Sequence, residues 1–136
     1  MVFVDSNLPM NVAGRDHPFR DPARRFLERA RSGEVAICTS TEVLQEILYR
    51  YVGMGRPDLG ASVYDLFVRL CPTVLPVTLA DTDRARASLP LPHGVSVRDA
   101  LHAAVMLNNA VSSIATFDAG FDRIAGISRV ELANTR

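Results

Sequence analysis

The chain is predicted to fold as an α/β domain, with a largely parallel central sheet and helices on both faces. Three observations lead there. Short β-rich runs alternate with stretches of helical apolar spacing, turn-forming and capping residues stand where those runs meet, and 136 residues suit one domain, residues 1–136. A chain of that length buries roughly 68% of its unfolded surface and needs no disulfides. With 48% hydrophobic and 22% charged residues, it has the composition of a folded globular protein, not of a disordered one.

Val2-Phe3-Val4 reads as a buried strand that stops at Asp5-Ser6-Asn7, residues that favour turns and caps. Asp21-Pro22 reads as an N-cap with proline at the first helical position. Phe26, Leu27 and Ala30 then form a stripe until Gly33 closes the helix. Val35 to Thr39 is the second strand. Ser40 or Thr41 caps the clearest amphipathic helix, in which Val43, Leu44, Ile47, Leu48, Tyr51 and Val52 recur at helical spacing before Gly53. A further helix runs from about Pro57 to Leu70 through Leu59, Val63, Leu66 and Phe67. Beyond Pro72, the run Val74, Leu75 and Val77 is a third strand, and Ala80 to Leu89 a more polar helix. Pro90-Leu91-Pro92-His93-Gly94 is a loop that no helix or strand crosses. Ser96-Val97-Arg98-Asp99 has capping-box spacing and opens an alanine-rich helix through Asn108. Val111 to Thr116 is a buried strand, Phe117 to Phe121 a turn, and Ile127 to Leu132 a last short strand.

The charge balance, 15 basic against 15 acidic residues, disfavours a protein that grips duplex nucleic acid by its overall field. Every basic residue is arginine, and six of them fall between Arg15 and Arg31 among Asp16, Asp21 and Glu28. These read as a solvated helix face, with a phosphate-tracking edge as the alternative. Cys38 and Cys71 stand apart in apolar surroundings and are expected to be reduced structural thiols. The apolar start is interrupted by Asp5 and lacks an export leader, and no run is long enough for a membrane span, so a cytoplasmic location is expected.

The chemistry is expected at four acids: Asp5, Glu46, Asp99 and Asp118. Ligands of open parallel sheets bind beyond the carboxyl ends of the strands, and Asp5 and Asp118 lie at two such ends. Each acid also has a local explanation. Asp5 and Asp118 suit turns, Asp99 suits a capping box, and Glu46 a surface position off the apolar stripe. Glu42 is favoured by the helix dipole. Gathered together, however, carboxylates repel: two charges 4 Å apart cost about 4 kcal/mol at an effective dielectric of 20. A cluster of this kind usually holds a hard divalent cation, Mg²⁺ or Mn²⁺. His102 reads as a packed histidine, or as a hydrogen-bond partner behind the site. His17 and His93 lie in loops without ligand spacing, which disfavours zinc.

Four segments then carry a resemblance. Val4-Asp5-Ser6-Asn7, the stretch from Ser40 to Leu48 with Val-Leu-Gln-Glu-Ile-Leu, Ser96 to Ala104, and Ala115-Thr116-Phe117-Asp118-Ala119-Gly120-Phe121 resemble, in order and spacing, the four signatures of PIN-domain ribonucleases. VapC-type toxins of toxin–antitoxin pairs are the nearest look-alike. The resemblance implies a PIN-like fold and an acidic quartet of Asp5, Glu46, Asp99 and Asp118, with Asn7 and Thr116 as polar companions, and it selects Glu46 over Glu42. Asp5 and Asp99 are the expected principal ligands of Mg²⁺ or Mn²⁺, with Glu46 and Asp118 holding a second ion or positioning water. Asp122, an extra acid just past the fourth signature, either assists the metal site or closes its loop, and the second reading is preferred.

The function implied is a metal-dependent endoribonuclease toxin acting on tRNA or rRNA and leaving a 5′-phosphate and a 3′-hydroxyl. A homodimer and a small cognate antitoxin are the implied partners. The helix from Pro57 to Leu70 offers apolar residues for dimerisation or for the core. One alternative is a catalytically inactive PIN-like module that binds RNA or protein. Another is a phosphotransfer domain with Asp5 as nucleophile, which normally wants a second Asp where Asn7 stands, and a lysine, which this chain lacks.

Overall fold

In the computed structural model, which describes residues 1–132, five parallel strands form one sheet in the order β3-β2-β1-β4-β5. The strands are β1 (Val2–Val4), β2 (Ile37–Ser40), β3 (Thr73–Leu75), β4 (Ser113–Ala115) and β5 (Ser128–Arg129). The chain steps outward from β1 to β2 and β3, then crosses back to β4 on the other side of β1. Right-handed crossovers in opposite directions place their helices on opposite faces. α1 (Asn7–Ala13), α2 (Arg20–Arg31), α3 (Thr41–Gly53) and α4 (Pro57–Leu70) therefore cover one face, with α1 against α2 and α4, and α3 against α4. α5 (Leu79–Ala87) and α6 (Val97–Asn108) pair on the other. Phe3 and Val4 of the central strand are fully buried, as are Ile47, Met106, Ile114 and Phe121 around them. The reversal of winding opens a crevice beyond the carboxyl ends of β1 and β4, where α/β sheets bind ligands.

Several expectations are corrected in detail. The sequence signals no helix directly after Asp5, yet α1 begins there. Its Pro9 lies in the first turn, where no backbone N–H is needed, and burial of Leu8 and Pro9 outweighs poor helix propensity. α2 starts at Arg20 with Phe19 at the N-cap, so Asp21 and Pro22 lie inside the first turn. Gly53 is the last residue of α3, as expected. The turn beyond it is completed by Gly55 at φ 73°, where the Gly55 and Arg56 amides donate to the carbonyls of Val52 and Tyr51. β5 is confined to two residues, shorter than the predicted 127–132 run. Residues 133–136 of the predicted 1–136 domain lie outside the described residues.

The arginine-rich segment behaves as a solvated face. Arg24, Arg29 and Arg31 pair with Asp21, Glu34 and Glu28, all at exposed positions. Cys38 and Cys71 are free and buried, and burial pushes their thiols up to about 11 and about 12. Among the described residues no helix is long and apolar enough to cross a membrane.

Candidate active site

The four acids arrive from four separate segments and line one cleft of about 510 Å³ at the winding reversal. Asp5 follows β1, and its amide donates to the Ala115 carbonyl, which continues the β1–β4 ladder by one residue. That pairing sets its carboxylate beside the end of β4. Ser6 N donates to Asp5 Oδ1 at 2.8 Å and the Thr116 hydroxyl donates to Oδ2 at 2.7 Å. Thr116 Oγ1 in turn accepts from Asn7 Nδ2 and from the Asp118 amide, both at 3.1 Å. A fully buried hydroxyl with its donor and both acceptor positions used thus locks Asp5, Asn7 and Asp118 together.

Glu46 lies in the second turn of α3 and is only 6% exposed. The apolar spacing suggested a surface position for it, with Leu48 and Val52 inward. The structure reverses this: Leu48 and Val52 are exposed, while Glu46 faces the crevice. Its Oε2 lies 3.4 Å from Arg98 Nη1 and 3.5 Å from Arg50 Nη2, and its Oε1 is buried without a hydrogen-bond partner.

Asp99 occupies the first turn of α6 and makes the predicted capping box. The Ser96 amide donates to its Oδ2 at 3.1 Å, and its own amide donates to Ser96 Oγ at 3.0 Å. Asp118 caps the 3₁₀ turn Ala119–Arg123 through Gly120 N at 2.8 Å. The local explanations for both acids are therefore true as well. Capping occupies one oxygen in each and fixes the direction of the carboxyl group. Gly120 lies between them: a Cβ there would stand 3.1 Å from Asp118 Oδ1, 3.7 Å from Asp99 Oδ2 and 2.9 Å from the Gly94 carbonyl. Only glycine permits so close an approach.

Among the described residues, one compact group adds His102 to two of the acids. Asp5, Glu46 and His102 each offer a ligand atom within 4.8 Å of the others. His102 Nε2 is 3.5 Å from Glu46 Oε1 and 3.9 Å from Asp5 Oδ1, and its side chain is 2% exposed. His102 is accordingly a wall of the cleft, one turn inward from Asp99. Its three-residue spacing from Asp99 was the only sequence signal for this. Ser6, Arg50 and Arg98 complete the lining where sequence reasoning had named no role. Asp122 lies elsewhere, forked to Arg129 at 2.9 and 3.0 Å, and closes its loop as expected.

The charges are costly without a cation. Burial pushes the Asp5 carboxyl above its ordinary value, against the opposing pull of His102 and Thr116. Burial raises Asp99 too, and the neighbouring Asp118 carboxylate adds to it against the Ser96 hydrogen bonds. Glu46 is also pulled up by burial, but His102 and Arg98 outweigh that and hold it low. Burial pulls His102 down, and the Glu46 and Asp5 carboxylates hold it above the usual histidine value. Groups with raised pKa values bind more protons folded than unfolded, so Asp5, Asp99 and His102 all favour the fold as pH falls. Glu46 opposes this only below the ordinary carboxylate range, near pH 4. In EDTA, the melting temperature is expected to rise between about pH 8 and pH 5. A flat or falling profile by calorimetry would mean the cleft is not strained by its charge.

An orphaned buried carboxylate oxygen and a donor set of oxygens with one imidazole fit a divalent cation.

Comparison with known proteins places the chain in a family. The model of the PIN domain matches residues 2–127. The chain is 41% identical to Ribonuclease VapC13 of Mycobacterium tuberculosis over 130 residues, which is 96% of this chain and 99% of that protein. It is 42% identical to Ribonuclease VapC23 of the same species over 118 residues, 87% of this chain and 93% of that one. Among solved structures, DNA-bound VapBC from Salmonella typhimurium aligns with a TM-score of 0.70 at 20% identity, covering 96% of this chain and 98% of that chain. VapC20 of Mycobacterium tuberculosis, described as a sarcin-ricin loop cleaving toxin, aligns at 0.68 and 20% identity over 88% and 91%. At these identities the two structures are likenesses of fold.

Proposed function

The chain belongs to the PIN-domain family, among the VapC ribonucleases, and from that membership we propose that it is the toxin of a toxin–antitoxin pair and cleaves tRNA or rRNA with Mg²⁺ or Mn²⁺. The observation that carries this reading is the meeting of Asp5, Glu46, Asp99 and Asp118 in one cleft at the winding reversal. Capping accounts for Asp99 and Asp118 one by one, but not for their place beside the buried Asp5 and Glu46, whose charges are costly without a counter-ion.

The reaction is hydrolysis of a phosphodiester. Water attacks phosphorus, the bond to the 3′ oxygen breaks, and a 5′-phosphate and a 3′-hydroxyl remain. An ion held there would supply Lewis acidity at the phosphate oxygens and ease deprotonation of the attacking water. Asp5 and Glu46 would hold it on the buried side of the cleft, and Asp99 and Asp118 on the open side. Thr116 fixes the rotamer of Asp5 and Asn7 buttresses Thr116, so the carboxylates are preorganised. Arg50 and Arg98 stand half exposed at the lip. They are placed to meet the RNA backbone, as planar guanidinium groups do. This local charge serves where a net charge of zero offers no field.

A homodimer and a small cognate antitoxin are the proposed partners, and two surfaces support them. Leu48, Tyr49 and Val52 stand exposed on the outer side of α3. Val12, Leu27, Leu66 and Leu70 border an apolar groove between α1, α2 and α4. The helix 57–70 is thus divided: Val63 and Phe67 are core, while Leu66 is 62% exposed.

Glu46 is the acid to test against its neighbour. Glu46→Gln is expected to abolish RNA cleavage and growth inhibition, whereas Glu42→Gln, which alters a partly exposed residue near Arg98, leaves both intact. Loss with Glu42→Gln and retention with Glu46→Gln would move the site by one helical turn. No cleavage by the folded, unsubstituted chain would instead indicate an inactive binding module.

A further inference from the structure

His102 is a buried polar side chain that makes no hydrogen bond. Both ring nitrogens are shielded from solvent and neither makes a hydrogen bond, although the residue is only 1% exposed. Burying such a group without a hydrogen bond is unfavourable. No hydrogen bond orients the ring. It is held by packing, with Phe3 at 5.7 Å between ring centroids and Phe121 at 6.4 Å. This packing leaves Nε2 aimed at Asp5 Oδ1 and Glu46 Oε1, and Glu46 Oε1 is itself without a partner. Among the described residues, the three buried side-chain atoms without a hydrogen bond are the two imidazole nitrogens and one carboxylate oxygen, and two of the three lie 3.5 Å apart.

That separation has a meaning. Two donors on one ion at about 2.0–2.2 Å stand about 2.8–3.6 Å apart, from octahedral to tetrahedral angles. The 3.5 Å contact already meets this, and the 3.9 Å contact to Asp5 needs a shift of only a few tenths of an ångström. Building on the reading of Asp5 and Glu46 as metal ligands, we propose that His102 Nε2 is a third ligand. The inner position is then a site of two carboxylates and one imidazole, and it selects Mn²⁺ or a similar first-row ion over Mg²⁺. The selectivity follows from the nitrogen. Mg²⁺ prefers oxygen donors, whereas imidazole suits the transition ions. Asp99 and Asp118, all oxygen, keep no such preference.

The test is pulsed electron paramagnetic resonance of Mn²⁺ bound to untagged protein carrying His17→Gln and His93→Gln. These changes remove the other two of the chain's three histidines and leave His102 as its sole imidazole. Nitrogen modulation of the Mn²⁺ signal is expected, and its loss on adding His102→Gln. By titration, His102→Gln is expected to weaken Mn²⁺ binding by about 10–100-fold and Mg²⁺ binding far less. Two results would overturn the proposal while leaving the metal site intact. One is bound Mn²⁺, released by Asp5→Asn, with no nitrogen modulation; the other is modulation that persists in His102→Gln. Failure of the folded protein to bind Mn²⁺ at all, or binding unaffected by Asp5→Asn, would instead overturn the metal reading together with this one.

Discussion

Asp5→Asn is expected to lower RNA cleavage by at least 10²–10³-fold, about the scale of losing one preorganised electrostatic group in an active site, while the fold survives. The asparagine oxygen still accepts from Ser6 N, while the bond from the Thr116 hydroxyl is lost. Survival follows because the substitution removes a buried charge whose pKa the surroundings push upward. The loss should appear in kcat under saturating RNA, because Asp5 lies beneath the cleft and not at its lip. Cleavage within tenfold of the unsubstituted chain, from protein with an unchanged circular dichroism spectrum, would remove Asp5 from the chemistry.

Saturating Mn²⁺ or Mg²⁺ is expected to raise the melting temperature by roughly 10 °C. Ligand at 100 times its dissociation constant stabilises by about 2.7 kcal/mol, and a domain of this size gains roughly 3–4 °C per kcal/mol. The same ion should shift Asp5→Asn much less. The comparison is informative because the metal-free cleft is already strained, with burial raising Asp5 and Asp99 and the Asp118 carboxylate adding to Asp99. Cation binding relieves that strain and adds new bonds. An unchanged melting temperature at millimolar metal would count against a cation site.

Much of this was legible in the sequence because it is local. Helices 41–53, 57–70 and 97–108 carry their own periodicity and caps. The Ser40 hydroxyl accepts from Val43 N, and Ser96 and Asp99 make their box as spaced. The positions of Asp5 and Asp118 at strand ends were equally local. What was lost depends on distant segments. α1 carries asparagines and a proline, and it exists because Leu8 finds the core. Glu46 breaks the apolar stripe of α3 because the amino-terminal half of that helix borders the crevice as well as the core. His102 was visible only as the third residue after Asp99. Its place between Phe3 and Phe121, facing Asp5 and Glu46, needs β1, α3 and α6 brought together.

Incubation of a mixed tRNA and rRNA pool with the purified chain, free of antitoxin, tests the central claim most directly. With Mn²⁺ or Mg²⁺ the account predicts discrete fragments bearing 5′-phosphates, and with EDTA it predicts intact RNA. Intact RNA from folded, metal-loaded protein, or cleavage that EDTA does not suppress, would contradict it.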